Sequence, residues 1–411
     1  MDMESVEDIV IVGAGIAGLG TSLALHRLGL RSLVLEASDE LRVTGFALTM
    51  WYNAWKALDA LGVGDALRRK HLPLDGTVFS SSETGSTLSQ ISYQGKGKYG
   101  NRETRCVKRK VLLETLAEEL PQGTIRFCSK VSSIAEDGYL KVLHLADGSI
   151  VKTKVLIGCD GVNSAVAKWL RLANLVSSGR SAIRGMAECR KPHDFPPKFL
   201  QFFGNGFRSG FIPCDGNNIY WFFTFPSTSP QYEDIRREAS KMKRFVLDNL
   251  GEVPQQVVEV VENTDLHNII SSPLRLRWPW NVIWGENCKG NVCVAGDALH
   301  PMTPDLGQGG CSALEDSVIL AKCLAEALLV GTQSINSKYE EDEYGKIKRG
   351  LEKFVKERKW RGFALVATAY VLGMTQQSNG TVMKFARDKL LSAYLAGLVP
   401  KMADYDCGNL N

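Results

Sequence analysis

The chain has 411 residues, of which 44% are hydrophobic and 23% charged, which excludes a disordered chain, a collagen-like repeat and a disulfide miniprotein. Its 49 basic and 45 acidic residues leave a net charge of +4, nearly neutral at this length and without the basic face that nucleic-acid binding needs. Length alone predicts two or three domains, and no nucleic-acid partner is expected.

Met1-Asp2-Met3-Glu4 has no basic n-region or apolar h-region, so no targeting segment is read there, and no apolar run reaches membrane-span length. A soluble, cytoplasmic protein is expected. Asp8–Val12 reads as a buried strand, followed by Gly13-Ala14-Gly15-Ile16-Ala17-Gly18, a helical pattern from Leu19 to Leu28, and a second strand, Ser32–Leu35, ending at Glu36. This strand–helix–strand unit predicts a parallel sheet. Gly13, Gly15 and Gly18 fit G-x-G-x-x-G: the first allows the tight turn, the second the approach of a pyrophosphate, the third close helix–strand packing. The helix N-terminus favours phosphate, and Glu36 can accept hydrogen bonds from a ribose diol, which favours FAD or NAD over NADP at this site. Arg42 and Arg109 follow as cations that could neutralise a phosphate.

Residues 74–100 become rich in Ser, Thr, Gly and Tyr, with short strand-like pieces; Lys110–Leu120 is helical and 125–150 is β-type with turns at Asp137-Gly138 and Asp147-Gly148. Val155–Cys159 is another buried strand. From Ser181 to Trp284 the chain is aromatic and β-rich, which predicts a separate mixed sheet. Gly290–Ala295 restores the buried-strand pattern, Ser312–Leu329 is a strong helix, and the remainder is helical. Glu352 and Glu357 interleave the basic run Lys346–Arg361, as on a solvated helix face. The apolar stretch Phe363–Met374 reads as a packed helix, with contact to a membrane surface as the alternative. The expected architecture is α/β: a Rossmann-like domain (1–74, 101–180, 285–338) interrupted by a mixed β-sheet substrate domain (75–100, 181–284), then a C-terminal helical region (339–411). The ten cysteines include no C-x-x-C pair and no ligand cluster with histidine, so reduced structural thiols and no metal site are expected.

Two later motifs carry the chemistry. Cys159-Asp160-Gly161-Val162-Asn163-Ser164 follows one buried strand; Gly296-Asp297-Ala298-Leu299-His300-Pro301-Met302-Thr303-Pro304 follows another and runs on into Asp305-Leu306-Gly307-Gln308-Gly309-Gly310-Cys311-Ser312-Ala313-Leu314-Glu315-Asp316. With the first glycine motif, they resemble the three fingerprints of single-component (class A) FAD-dependent monooxygenases. The G-Q-G-G-C-S-A-L-E-D form and the stretch Arg42–Leu48 are similar to a plant group that includes "monooxygenase 1" and is related to zeaxanthin epoxidase and salicylate hydroxylase. Many family members carry Asn where Cys311 stands; the plant form carries Cys.

The resemblance implies FAD held by Gly13–Gly18 and Glu36, with Arg42 and Arg109 also on FAD. It implies Asp160 in FAD and NAD(P)H binding and Asp297 on the ribityl chain. Ala37, Val131, Gly161, Gly296 and Pro304 sit beside these motifs and join the cofactor set. Gly307, Gln308, Gly309 and Gly310 precede a long helix whose N-terminus would stabilise negative charge on reduced flavin. His300-Pro301 would shape the loop against the flavin, with proton transfer by His300 a lesser alternative. NAD(P)H would bind transiently, because no second G-x-G-x-x-G is present. The implied cycle passes through C4a-hydroperoxyflavin, with O₂ and a small-molecule substrate as the other partners. The substrate pocket should lie between flavin and aromatic sheet, walled by Phe203, Phe211, Tyr220 and Phe222, with Trp51, Tyr52 and Asn53 alongside; the substrate expected is apolar, aromatic or terpenoid. The competing readings are a reductase or dehydrogenase of the same fold, or a non-catalytic flavin-binding module. A halogenase needs W-x-W-x-I-P, which Trp278-Pro279-Trp280-Asn281-Val282-Ile283 does not complete, and a simple NAD-dependent dehydrogenase leaves Gly296-Asp297 unexplained.

Overall fold

A computed structural model describes residues 6–42, 45–204, 206–227, 235–329, 339–376 and 392–410; Val43 and Thr44, in the stretch after Arg42, lie outside them. Two sheets organise the molecule. Val6–Val12 runs through the middle of an eight-stranded sheet, parallel to Leu33–Leu35 on one side and Ile150–Gly158 on the other. Ile125–Arg126 and Val292–Val294 extend it, also parallel. These strands are almost continuously apolar because helices cover them, as Ile16–Arg27 and Gly309–Leu329 do here by packing on each other. A hairpin, Val131–Asp137 with Leu140–Leu145, closes one edge.

The second sheet has seven strands in the order Ile269–Leu276, Val176–Glu188, Asn218–Pro226, Phe207–Pro213, Lys198–Gly204, Gly76–Ser81 and Thr87–Ser92. All neighbours are antiparallel except Lys198–Gly204 with Gly76–Ser81, so the sheet is mixed. One of its faces carries Phe211, Trp221, Phe223 and Phe225, packed with Met242, Val246, Val257 and Val261 of the helices Ala239–Asn249 and Gln255–Glu262. Those two helices fall in a stretch whose sequence reads as β. Val257-Val258 and Val260-Val261 are β-branched pairs, which favour strands locally. Their burial at 257, 260 and 261 follows helical spacing instead, and the sheet supplies the surface that stabilises it.

The C-terminal helix Tyr339–Gln376 packs along Gly309–Leu329. Its Ile347, Leu351 and Phe354 enter the core of the first sheet, and Leu365, Ala369 and Leu372 form a small cluster with Leu306. The helical region is thereby fused to the first sheet and its helices. Among the described residues no helix is long and apolar enough to cross a membrane.

Candidate active site

One cavity of about 670 Å³ runs from the C-terminal ends of the parallel strands to the second sheet. At its first end the chain turns at Gly13 (φ +100°), whose N–H still donates to Leu35 O of the neighbouring strand at 2.7 Å. A Cβ on Gly18 would lie 1.9 Å from Gly13 O, so the third glycine is required by helix–strand contact and does not itself border the cavity. A Cβ on Gly15 would meet nothing within 4 Å: this glycine borders open space. The helix beginning there has no side-chain cap and no acid in its first turn, which leaves its N–H groups free for an anion. Ala14, Ile16 and Ala17 line the same end.

Glu36 is held by two backbone donors, Ala14 N–H to Oε2 at 2.8 Å and Ser38 N–H to Oε1 at 2.9 Å, and borders the cavity with Ala37, Arg42 and Val131. Asp160 lines the cavity beside Gly161, but its carboxylate is already engaged by the Ser164 hydroxyl and by Ala165 N–H, the latter at 2.6 Å. Burial pushes its carboxyl up, against those hydrogen bonds. Asp160 therefore organises the turn into the short helix Ala165–Trp169.

Asp297 is exposed to the open cavity. Burial pushes its carboxyl up; His300 and Arg109 pull it back down. Arg109 lies in the same wall, its own pKa lowered by burial and raised by Asp297. Pro304, Gly307, Gly309 and Gly310 border the cavity, with Gly307 in the left-handed region at φ +65° and its position tight against the Trp51 indole.

Gly296, Gln308, His300, Pro301 and Asn53 do not line it. They form or adjoin a buried layer behind the floor. Asn53 donates to Gln308 Oε1 at 2.8 Å and to Glu315 Oε1 at 2.5 Å. Gly296 N–H donates to Asp316 Oδ2 at 2.8 Å, and His300 Nε2 sits 2.7 Å from the same oxygen. His300 is fully buried and locked in this pair, so it has no line to a substrate. Sequence reasoning missed the partner of this layer, Arg358 of the C-terminal helix. Its guanidinium, also fully buried, reaches Asp316 at 2.6 Å and Glu315 at 2.7 Å. The only cue was an arginine in a run that otherwise reads as a solvated face.

The far wall is one face of the second sheet. Cross-strand register puts Ala182, Arg184 and Met186 opposite Thr224, Phe222 and Tyr220, and these opposite Arg208, Gly210 and Ile212. Tyr220 and Phe222 border the cavity, as do Trp51, Gln201 and Arg208. Phe211 points to the opposite face and belongs to the helix-covered core, which corrects its expected place in the pocket. Phe203 is on the cavity side but its ring stacks on Phe79, 5.9 Å between centroids, and stays behind it. Tyr52 faces a separate small cleft with Arg102 and Asp404. Asp305 is a further residue the sequence did not single out: it accepts from Arg180 at 2.6 Å and from Arg208 at 3.0 Å, fully buried. Cys311 is buried too, and burial pushes its thiol up to about 12, so it is inert at neutral pH.

An α/β fold with a glycine-rich first crossover and a deep cavity reaching a second sheet defines a dinucleotide-binding class of protein. The family model described as "FAD binding domain" matches residues 7–348, and the chain belongs to that family. It is 50% identical over 415 residues to Monooxygenase 2 of Arabidopsis thaliana, covering all of both chains, and 35% identical to Monooxygenase 1 of the same plant, covering 98% and 99%. Among solved structures it is similar to Klebsiella pneumoniae HpxO complexed with FAD and uric acid, with TM-score 0.81, 21% identity and 99% of each chain covered. The chain is an FAD-dependent monooxygenase acting with O₂ on a small substrate.

Proposed function

We propose that the enzyme draws its electrons from NADH or NADPH and hydroxylates or epoxidises a small, flat, largely apolar substrate of aromatic or terpenoid class. The observation that carries this reading is the continuity of a single cavity from the Gly13–Ala17 turn, past Asp297, to Tyr220 and Phe222. Gly13–Ala17 and the helix N-terminus would hold the FAD pyrophosphate, with Arg42 as counter-charge. Glu36 has lone pairs left for a ribose diol, because its two backbone bonds occupy only one per oxygen. Asp297 would accept from the ribityl hydroxyls, and the Gly307–Gly310 backbone would face the isoalloxazine at a helix N-terminus. When bound, FAD supplies the transfer of two electrons from the nicotinamide and the activation of O₂. Phe222, Tyr220 and Trp51 exclude water and orient a ring against it. The resemblance of the G-Q-G-G-C-S-A-L-E-D segment to zeaxanthin epoxidase and to the plant monooxygenase 1 group, itself similar to salicylate hydroxylases, supports ring substrates, as does the uric acid named in the HpxO structure.

The test is anaerobic mixing of the yellow holoenzyme with NADH or NADPH, followed by admission of O₂ in the presence of aromatic candidates. Faster flavin bleaching with a ligand, and ¹⁸O from labelled O₂ in the product, are expected. No bleaching by either nucleotide would remove the reductant from this reading; bleaching without oxygen in any product would make the chain a reductase.

A further inference from the structure

Arg184 differs from the other cations of the cavity. It projects from the strand Val176–Glu188 on the cavity face, directly across from Phe222 and one pair from Tyr220. Arg180 and Arg208 share the Asp305 carboxylate, and Arg208 also donates to Gln201. Arg109 has Asp297 as its opposite charge. Arg184 has no hydrogen-bond or ion-pair partner among the described residues, and its charge is felt by another cation, Arg109, and by the Tyr220 phenol. The Asp305 carboxylate is thus taken up by Arg180 and Arg208, and Arg184 has no share in it.

An unpaired guanidinium in a half-buried, aromatic setting is costly, and its planar donor fork fits a carboxylate. We propose that Arg184 is the anion-recognising residue of the substrate site, so that the enzyme takes aromatic compounds bearing a carboxylate or a similarly acidic group. A ring lying along Phe222 brings such a group to the guanidinium, and the Tyr220 hydroxyl is a second donor. Burial pushes that hydroxyl up to about 12, so it remains protonated at neutral pH. Arg208, the other cavity-lining cation of this sheet face, is already held by Asp305 and Gln201, which leaves Arg184 as the guanidinium free to receive an anion here. The inference rests on the reading above that the sheet end of the cavity is the substrate end.

Equilibrium dialysis of the FAD-loaded enzyme with ring-matched acids and amides tests it: benzoate with benzamide, cinnamate with cinnamamide, naphthoate with naphthamide. At least one acid should bind roughly tenfold or more tighter than its amide, as a charge-assisted bond predicts. In Arg184→Gln that preference should vanish through loss of acid binding, with the amide unchanged, and Arg184→Lys should keep part of it. The proposal is overturned if no acid outbinds its amide in the wild-type enzyme, a result that needs no variant to fold. It is equally overturned if Arg184→Gln keeps the preference, or if it raises KM for NAD(P)H or lowers FAD content while acid binding persists. Flavin bleaching by NAD(P)H reports separately on the reading it rests on.

Discussion

At the level of single residues, two glycines of one motif should separate folding from cofactor binding. A Cβ on Gly18 would overlap Gly13 O, a backbone atom that cannot swing aside. Gly18→Ala should therefore cost about 1–3 kcal/mol or more, read from urea denaturation of the apoprotein. Gly15 has open space at the same test position and an extended backbone that alanine adopts freely. Gly15→Ala should leave apoprotein stability within about 1 kcal/mol yet weaken FAD binding roughly tenfold, read by quenching of flavin fluorescence. A loss of stability in Gly15→Ala equal to that in Gly18→Ala would contradict the division of labour. Asp297 follows the same logic. Its side chain faces the open cavity, so Asp297→Ala should leave apoprotein stability within about 1 kcal/mol, while losing about 1.5–3 kcal/mol of FAD affinity. Full flavin content in that variant would remove Asp297 from the cofactor site.

At the level of elements, the long helix Tyr339–Gln376 is tied to Gly309–Leu329 by charge as well as by packing. Arg358 neutralises Glu315 and Asp316 from within the core, and Asp316 in turn holds Gly296 N–H and His300 in the loop that carries Asp297. Arg358→Met would leave Glu315 to Arg361 and Asp316 to His300, removing from two buried carboxylates the fully buried cation they share. A loss of about 3–5 kcal/mol in urea denaturation is expected, well beyond that of an exposed arginine such as Arg275. A loss under about 1 kcal/mol would mean the network adds little. This connection was illegible in the sequence because its partners are some forty residues apart and its arginine sits among solvated charges. The parallel strands and the glycine turn were legible, because unbroken apolar runs and a fixed glycine spacing follow from local chemistry. The pocket face of the second sheet was not. Leu200 pairs with Phe211, and Phe203 is three residues further along its strand, so Phe203 and Phe211 cannot share a face. Tyr220 pairs with Ile212 and so also lies opposite to Phe211. Alternation shows that two faces exist; only register and the packing of the two buried helices decide which one meets the cavity.

Across the whole molecule, the buried ion-paired carboxylates and the cavity-facing Asp297 respond to acid in opposite senses. Asp316 is penalised by burial, but His300 and Arg358 outweigh that and hold it down at about 2; Asp305 and Glu315 are lowered in the same way by their arginines. A carboxylate whose folded pKa lies below its unfolded value stabilises the fold above the unfolded value, about 4, and that stability is lost as pH falls toward the folded one. These three span the contact between helices and the contact between sheets, so unfolding should set in between about pH 4 and about pH 2. Asp297 behaves in reverse: burial raises it, so it takes up its proton at a higher pH than they do. A protonated Asp297 has lost its charge and one acceptor site, which weakens its hold on ribityl hydroxyls. Acidification of the holoenzyme should therefore separate two events. Free flavin fluorescence should appear first, with helical circular dichroism intact; loss of the far-ultraviolet signal should follow at lower pH. Coincident transitions would mean that flavin leaves only because the protein unfolds, and that Asp297 does not govern its release.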